Sequence, residues 1–195
     1  MTARRRRRRR STRSTVLGLL GVLALAVVAI AFPQVFDRLS PGGSPTPVAI
    51  PTGVPAEAVA ATVDRVVDGD TVIVVLDGGA RERLRLIGVD TPETVKPNAP
   101  VDCFGPEASA FTTAHAAAGS TVWLESDSTQ GDRDRYDRLL RYVWVDDGSL
   151  LNEQLIAGGF GREDTYDAAY RYRDAFVQAE KTAEAQRVGL WGACG

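Results

Sequence analysis

Residues 66–93 read VVDGDTVIVVLDGGARERLRLIGVDTPE. Two strand-like runs stand out, Thr71–Leu76 and Glu82–Ile87, and Asp77-Gly78-Gly79 between them is a hairpin turn. Polar groups crowd both ends. Asp68 and Asp70 occupy a Gly-containing turn before the first strand, and Asp90 and Glu93 a Pro-containing turn after the second. A hairpin sets the start of one strand beside the end of its partner. The two acidic turns are therefore expected to meet, with Arg85 close behind them. Converging carboxylates repel one another, and burying one unpaired is costly. The arrangement makes sense around a cation, and hard oxygen donors on irregular backbone suit Ca²⁺ or Mg²⁺ rather than Zn²⁺. Asp, Gly and Pro are also ordinary turn residues. It is the two turns together, with an arginine beside them, that set this stretch apart.

Working outward, Thr62–Val67 reads as a strand leading into the first turn. Residues 94–105, TVKPNAPVDCFG, carry two prolines and no periodicity, so they form a loop. Pro106 and Glu107 open an Ala-rich helix to about Ala118, ended by Gly119. Thr121–Glu125 and Leu139–Val145 read as strands on either side of SDSTQGDRDRYDR. Asn152 can cap a short helix through Ile156, ended by Gly158-Gly159, and Phe160–Arg162 is a brief strand or coil. Residues 168–187 have helical spacing at Tyr172, Phe176, Ala179 and Ala183. The helix stops at Gly189, and Trp191 is expected to pack back on the sheet. Taken alone, this pattern means an α+β, mainly β domain with a curled sheet.

Before the domain, residues 4–10 are seven consecutive arginines, and Val16–Phe32 is an uncharged apolar run. A basic flank before an apolar core is a signal peptide or signal anchor. The expected division is a basic cytoplasmic segment at 1–15 and an anchor or signal at 16–36. A Pro/Gly-rich linker at 37–60 and the folded domain at 61–195 follow. Cleavage near Ala31 would release the domain, and an uncleaved segment would tether it to a membrane. In both cases the body lies outside the cytoplasm. From Leu39 onward the chain holds 14 basic against 24 acidic residues, a net charge of −10. Such a body attracts nucleic acid poorly at long range, so binding would rest on a local site. Cys103 and Cys194 are the two cysteines. Outside the cytoplasm an even pair usually forms a disulfide. This one would close a loop of roughly ninety residues and contribute about 3–5 kcal/mol.

VVDGDTV, RLIGVDTPE, FGPEAS, DRYDRLLRYV and LNEQLIAGG, in this order and spacing, resemble the staphylococcal nuclease family from about Thr62 to Trp191. The resemblance implies a five-stranded OB-type barrel with about three helices. It implies Ca²⁺ held by Asp70, Asp90 and the Thr91 backbone carbonyl, with Asp68 behind them. It implies Glu93 as the group that orients or deprotonates the attacking water, Arg85 and Arg138 as phosphate clamps, and Tyr136 near the nucleotide phosphate. Asp137 departs from the family, which commonly has Gly there, and could pair with Arg138 in competition with phosphate. Thr165 and Tyr166 match the family's paired tyrosines only roughly. Lys96 is the only lysine near the loop beside the site.

The single histidine, His115, lies on the Ala-rich helix away from every motif, which points to surface or packing work rather than base catalysis. Trp123, Trp144 and Trp191 read as core residues. The leading functional reading is an exported, monomeric Ca²⁺-dependent nuclease. It would cleave DNA and RNA, single-stranded or frayed, to 3′-phosphate ends. The alternatives are a non-catalytic OB-fold nucleic-acid- or oligosaccharide-binding module and an extracellular Ca²⁺-binding structural module.

Overall fold

The computed structural model describes residues 49–94, 100–166 and 168–194. The chain divides into two units, Met1–Pro47 and Val48–Gly195. The expected basic segment at 1–15, the apolar segment at 16–36 and most of the linker lie outside the described residues. Among the described residues no helix is long and apolar enough to cross a membrane.

Five strands close into a barrel: β1 (Val59–Val66), β2 (Thr71–Leu76), β3 (Arg81–Leu86), β5 (Thr121–Glu125) and β6 (Leu139–Trp144). Their order around the barrel is β1-β2-β3-β6-β5. All neighbours are antiparallel except β3 and β6, which run parallel with Leu84 opposite Leu139. β1 begins inside the expected linker, because Ala58 is already buried and Val59 pairs with Leu124. It serves both β2 and β5, and its register slips between Val63 and Arg65, a bulge that lets one strand bend between two partners. A separate two-stranded sheet joins β4 (Val89–Asp90) to β7 (Arg162–Glu163).

Strand alternation sorts the side chains. In β3, Leu84 and Leu86 are buried, whereas Arg81 and Arg83 are exposed and Arg85 lies at the mouth of the site. Val63, Val72, Val74, Leu84, Val122 and Val143 fill the barrel. Each such side chain contributes about 1.5–3 kcal/mol when fully buried. Three helices pack around it: α1 (Gly105–His115), α2 (Leu151–Ala157) and α3 (Arg173–Gln186). A one-turn helix, α4 (Leu190–Ala193), follows.

Two sequence expectations need correction. Asn152 does not cap α2, whose N-cap is Leu150 with no side-chain bond. Asn152 is fully buried. Its Oδ1 accepts from the Val143 amide at 2.9 Å, and its Nδ2 donates to the Ile87 carbonyl at 2.9 Å. A tertiary demand for a donor and an acceptor has overridden the capping preference. α3 starts at Arg173 rather than 168, because Tyr170 and Tyr172 enter the aromatic core on irregular backbone, against Phe176 and Tyr142.

That irregular segment is held by two carboxylates. Glu125, fully buried, accepts from Trp144 Nε1 at 2.8 Å and Tyr172 Oη at 3.0 Å, and pairs with Arg171. Asp127 accepts from Tyr142 Oη and the Arg171 amide, each at 2.8 Å. Trp123 is buried as expected and Trp144 half-buried, while Trp191 lies in α4 beneath the Arg162 guanidinium, 4.1 Å from its ring centroid. The ring of His115 lies tilted against Phe111 with ring centroids 4.1 Å apart, and its Nδ1 lies 2.9 Å from the Phe111 carbonyl, which is packing work.

Candidate active site

The two acidic turns meet. Asp70 stands at the start of β2 and Thr91 just after β4. Thr91 donates its amide at 2.8 Å and its hydroxyl at 3.0 Å to Asp70 Oδ2. Thr71 donates its hydroxyl to the other oxygen at 3.0 Å. The approach depends on Gly69, where a Cβ would come within 2.6 Å of Thr91 Oγ1. Thr112 of α1 fixes the same turn with a 2.6 Å bond to the Gly69 carbonyl. Asp68 folds back on the turn and accepts from the Asp70 amide at 3.2 Å. Gly88 precedes β4 with φ +75°, and a Cβ there would strike the Tyr170 ring at 2.5 Å. Tyr170 thereby fixes the backbone that carries Asp90.

Arg85 lies at the centre. Its side chain is only 13% exposed and stands 3.4 Å from Asp70, 3.0 Å from Asp90 and 3.6 Å from Asp164. It also donates to the Leu86 carbonyl at 3.1 Å and to the Val89 carbonyl. Of its three carboxylate partners only Asp70 is buried, so removing this guanidinium would leave one buried carboxylate without its cation, while Asp90 and Asp164 stay in contact with water. Sequence reasoning missed Asp164, which reaches Arg85 from the segment after β7.

Glu93 is set by its neighbours. Its amide donates to Asp102 Oδ2 at 3.1 Å, its carbonyl accepts from the Asp102 amide at 3.0 Å, and its Oε1 accepts from the Thr94 amide at 3.0 Å. One residue beyond Asp102, Cys103 is bonded to Cys194 just past α4. Glu93, Asp68, Asp70, Asp90, Arg85 and Arg138 line a single cleft of about 650 Å³. The crowding of carboxylates shows in their protonation. Burial, then the charges of Asp70 and Glu93, push Asp68 up to about 6. Asp90 is also raised, by desolvation in the cleft against the pull of Arg85, and by repulsion from Asp70, Asp164 and Glu93.

Arg138 enters this cleft and an adjoining pocket of about 470 Å³ that it shares with Arg85. Its carboxylate partner is Asp134, at 2.7 Å, not Asp137. Asp137 sits in the left-handed region with φ +64°, points to solvent, and lies 3.6 Å from Arg133. The sequence expectation of an Asp137–Arg138 pair is therefore corrected. A left-handed turn directs residue 137 outward and puts the Asp134 carboxylate under the Arg138 amide and guanidinium. Tyr136 is exposed, with the Arg135 and Arg138 guanidinium carbons 4.8 and 5.4 Å from its ring centroid. Tyr166, also exposed, accepts from Arg135 at 3.4 Å across the adjoining pocket.

Among the described residues no group of three or more His, Cys, Asp or Glu forms a metal cage. The donors at hand are the Asp70 and Asp90 carboxylates and the main chain of their turns. An open set of hard oxygens fits a divalent ion whose shell is completed by water.

A closed five-stranded barrel with an acidic, arginine-lined cleft beside the start of β2 and the end of β4 defines an OB-type architecture. The family described as "Staphylococcal nuclease homologue" matches residues 83–193. The chain is 46% identical over 129 residues to the thermonuclease of Staphylococcus hyicus, covering 66% of this chain and 73% of that protein. It is 45% identical over 129 residues to the thermonuclease of Staphylococcus intermedius, covering 66% and 74%. It is 37% identical over 136 residues to endonuclease YncB of Bacillus subtilis, covering 69% and 62%. The chain belongs to the staphylococcal nuclease family.

Proposed function

We propose that this protein is an exported, Ca²⁺-dependent nuclease that hydrolyses DNA and RNA and leaves 3′-phosphate ends. The observation that carries the reading is the single cleft in which Asp70, Asp90 and Glu93 stand with Arg85 and Arg138. The chain's similarity to thermonucleases and an endonuclease supports the nuclease part of this reading.

In the reaction a water oxygen adds to phosphorus and the P–O5′ bond breaks. The 5′ oxygen leaves and takes up a proton from solvent water. Glu93 orients the water and accepts its proton. Arg85 and Arg138 grip the equatorial phosphate oxygens, whose charge grows toward the transition state. To do so, Arg138 shares its fork between Asp134 and the phosphate. Asp70, Asp90 and the Thr91 carbonyl would hold Ca²⁺, which supplies positive charge beside the phosphoryl group. Asp68 stands behind Asp70, and Tyr136 borders the nucleotide phosphate. The substrate is single-stranded or frayed nucleic acid, and the enzyme acts as a monomer. Export rests on the Arg4–Arg10 block and the apolar segment at 16–36, which either anchors the chain or is cleaved near Ala31. The Cys103–Cys194 bond suits an oxidising compartment.

The test is a nuclease assay on the purified full-length chain, titrated with Ca²⁺ and then with EGTA. Asp90→Ala, Arg85→Ala and Glu93→Ala should each lower activity by about 10²–10⁴-fold with the circular dichroism spectrum retained. Full activity in excess EGTA, or in Asp90→Ala, would overturn the metal role. Nucleic-acid binding without cleavage would favour a non-catalytic barrel instead.

A further inference from the structure

We propose that Arg83 forms a second phosphate subsite, which takes the backbone phosphate next to the scissile one on a nucleic-acid strand. This rests on the nuclease reading of the cleft. Arg83, Arg85, Arg138 and Arg162 are the arginines that line the cleft. Three of them are engaged: Arg85 with Asp70, Asp90 and Asp164, Arg138 with Asp134, and Arg162 over the Trp191 ring. The Arg83 side chain makes no hydrogen bond or ion pair among the described residues, and it is exposed. It is bracketed on its own strand by arginines that do pair, Arg81 with Asp64 and Arg85 with the site carboxylates.

Position decides what an unengaged guanidinium can do here. Arg83 and Arg85 are two residues apart on β3, with Leu84 between them buried, so they project from the same face. Alternate residues of a strand lie about 7 Å apart, which is comparable to the separation of successive phosphates on an extended single strand. A strand whose scissile phosphate lies at Arg85 would thus bring the next phosphate within reach of Arg83. The charge balance points the same way. A body with 14 basic and 24 acidic residues gives a polyanion little long-range attraction, so retention of the strand depends on cations at the cleft itself. A guanidinium is suited to the task, because its fork takes two phosphate oxygens at once.

The test measures binding, so it reads out whether or not cleavage occurs. A fluorescein-labelled single-stranded oligonucleotide of about twelve nucleotides, long enough to span an OB-type groove, is titrated with the full-length chain without divalent ions, at several salt concentrations. Arg83→Gln should weaken binding on the order of tenfold and lower the slope of log affinity against log salt by about 0.7, the share of one single-strand phosphate. Arg83→Lys should keep the slope. A competing dinucleotide with a single phosphodiester, too short to reach Arg83, gives the reference. Unchanged affinity and slope in Arg83→Gln would overturn the subsite. An equal loss on the dinucleotide would also overturn it, because Arg83 would then act through the shared site or the fold. Absence of cleavage by the unaltered chain in the separate Ca²⁺-containing nuclease assay would count against the nuclease reading alone.

Discussion

Glu93 and Asp102 hold each other by two hydrogen bonds, one to the Asp102 carboxylate and one between main chains. The Glu93 amide donates to the Asp102 carboxylate at 3.1 Å, and the Asp102 amide returns a bond to the Glu93 carbonyl at 3.0 Å. The pair fixes the backbone from which the Glu93 side chain enters the cleft. Asp102 itself is exposed, so its removal should cost little stability. In the proposed reaction Glu93 must meet a water within hydrogen-bond reach, and an error of about 1 Å can cost on the order of 10²-fold. Asp102→Ala should therefore lower kcat by about 10- to 100-fold with KM and melting temperature little changed. Asp102→Asn, which keeps an acceptor oxygen, should restore most of it. Steady-state kinetics on the three proteins decide the point. Unchanged kcat in Asp102→Ala would separate Glu93 positioning from this clamp.

The disulfide extends the same anchor. Cys103 follows Asp102 directly, and Cys194 follows α4, 91 residues further on. Phe104 continues the anchorage by stacking on Phe160, with ring centroids 5.6 Å apart. Cross-linking so long a loop restricts the unfolded chain, and its loss should cost about 3–5 kcal/mol. The double variant Cys103→Ser/Cys194→Ser should show that loss in urea unfolding. It should also lose part of its kcat, because the segment next to Asp102 is released. If reduced and oxidised protein unfold at the same denaturant concentration, the bond has no such role.

Asn152 is the polar link between α2 and the barrel. Its amide satisfies the Val143 N–H and the Ile87 C=O in a fully buried place. Asn152→Ala strands both groups away from water, and each stranded group costs about 1–3 kcal/mol. Urea unfolding should show a loss of about 2–4 kcal/mol with an unchanged m-value. Ile87 lies just before Gly88 and β4, so the variant should also weaken the support under Asp90. A loss below about 0.5 kcal/mol, the range of an ordinary surface change, would mean that water replaces the amide.

The hairpin and its two acidic turns were legible because their signals are local. Alternation and the Asp-Gly-Gly turn place β2 at Thr71–Leu76, and hairpin geometry then brings the turn of Asp70 toward that of Thr91. β5 at Thr121–Glu125 was readable on the same grounds. What escaped depends on partners distant in sequence. Asp164 joins Arg85 from 79 positions away and has no neighbouring motif. The parallel pairing of β3 with β6 has no turn to announce it. Asn152 before an apolar run reads as a cap until its buried partners are known. Arg138 was placed in the cleft by the family pattern, but its partner depended on the left-handed backbone at Asp137, which puts Asp134 rather than Asp137 against it.

Asp127 provides a pH test that is independent of the cleft. Burial works to raise its pKa, but donors outweigh it: the Arg171 and Thr129 amides at 2.8 and 2.9 Å, the Thr129 hydroxyl at 2.8 Å and the Tyr142 hydroxyl at 2.8 Å. The net result lies below the ordinary 3.8. A carboxylate with a depressed folded pKa binds fewer protons in the folded than in the unfolded chain. Its contribution is fully present above 3.8 and is lost as the pH falls below that value through the folded pKa. Asp127→Asn should therefore be less stable than the unaltered chain at neutral pH, and its stability should fall less steeply below pH 3.8. Because Asp127 holds the Arg171 amide and the Tyr142 hydroxyl, the variant should also loosen the irregular segment that brings Tyr170 against Gly88. Urea unfolding across a pH series measures the first effect, and amide exchange at residues 169–172 the second. Identical acid slopes in the two proteins would show that the charge on Asp127 does not stabilise the fold, and would assign the steep acid limb to other carboxylates such as Asp134, whose pKa is also lowered.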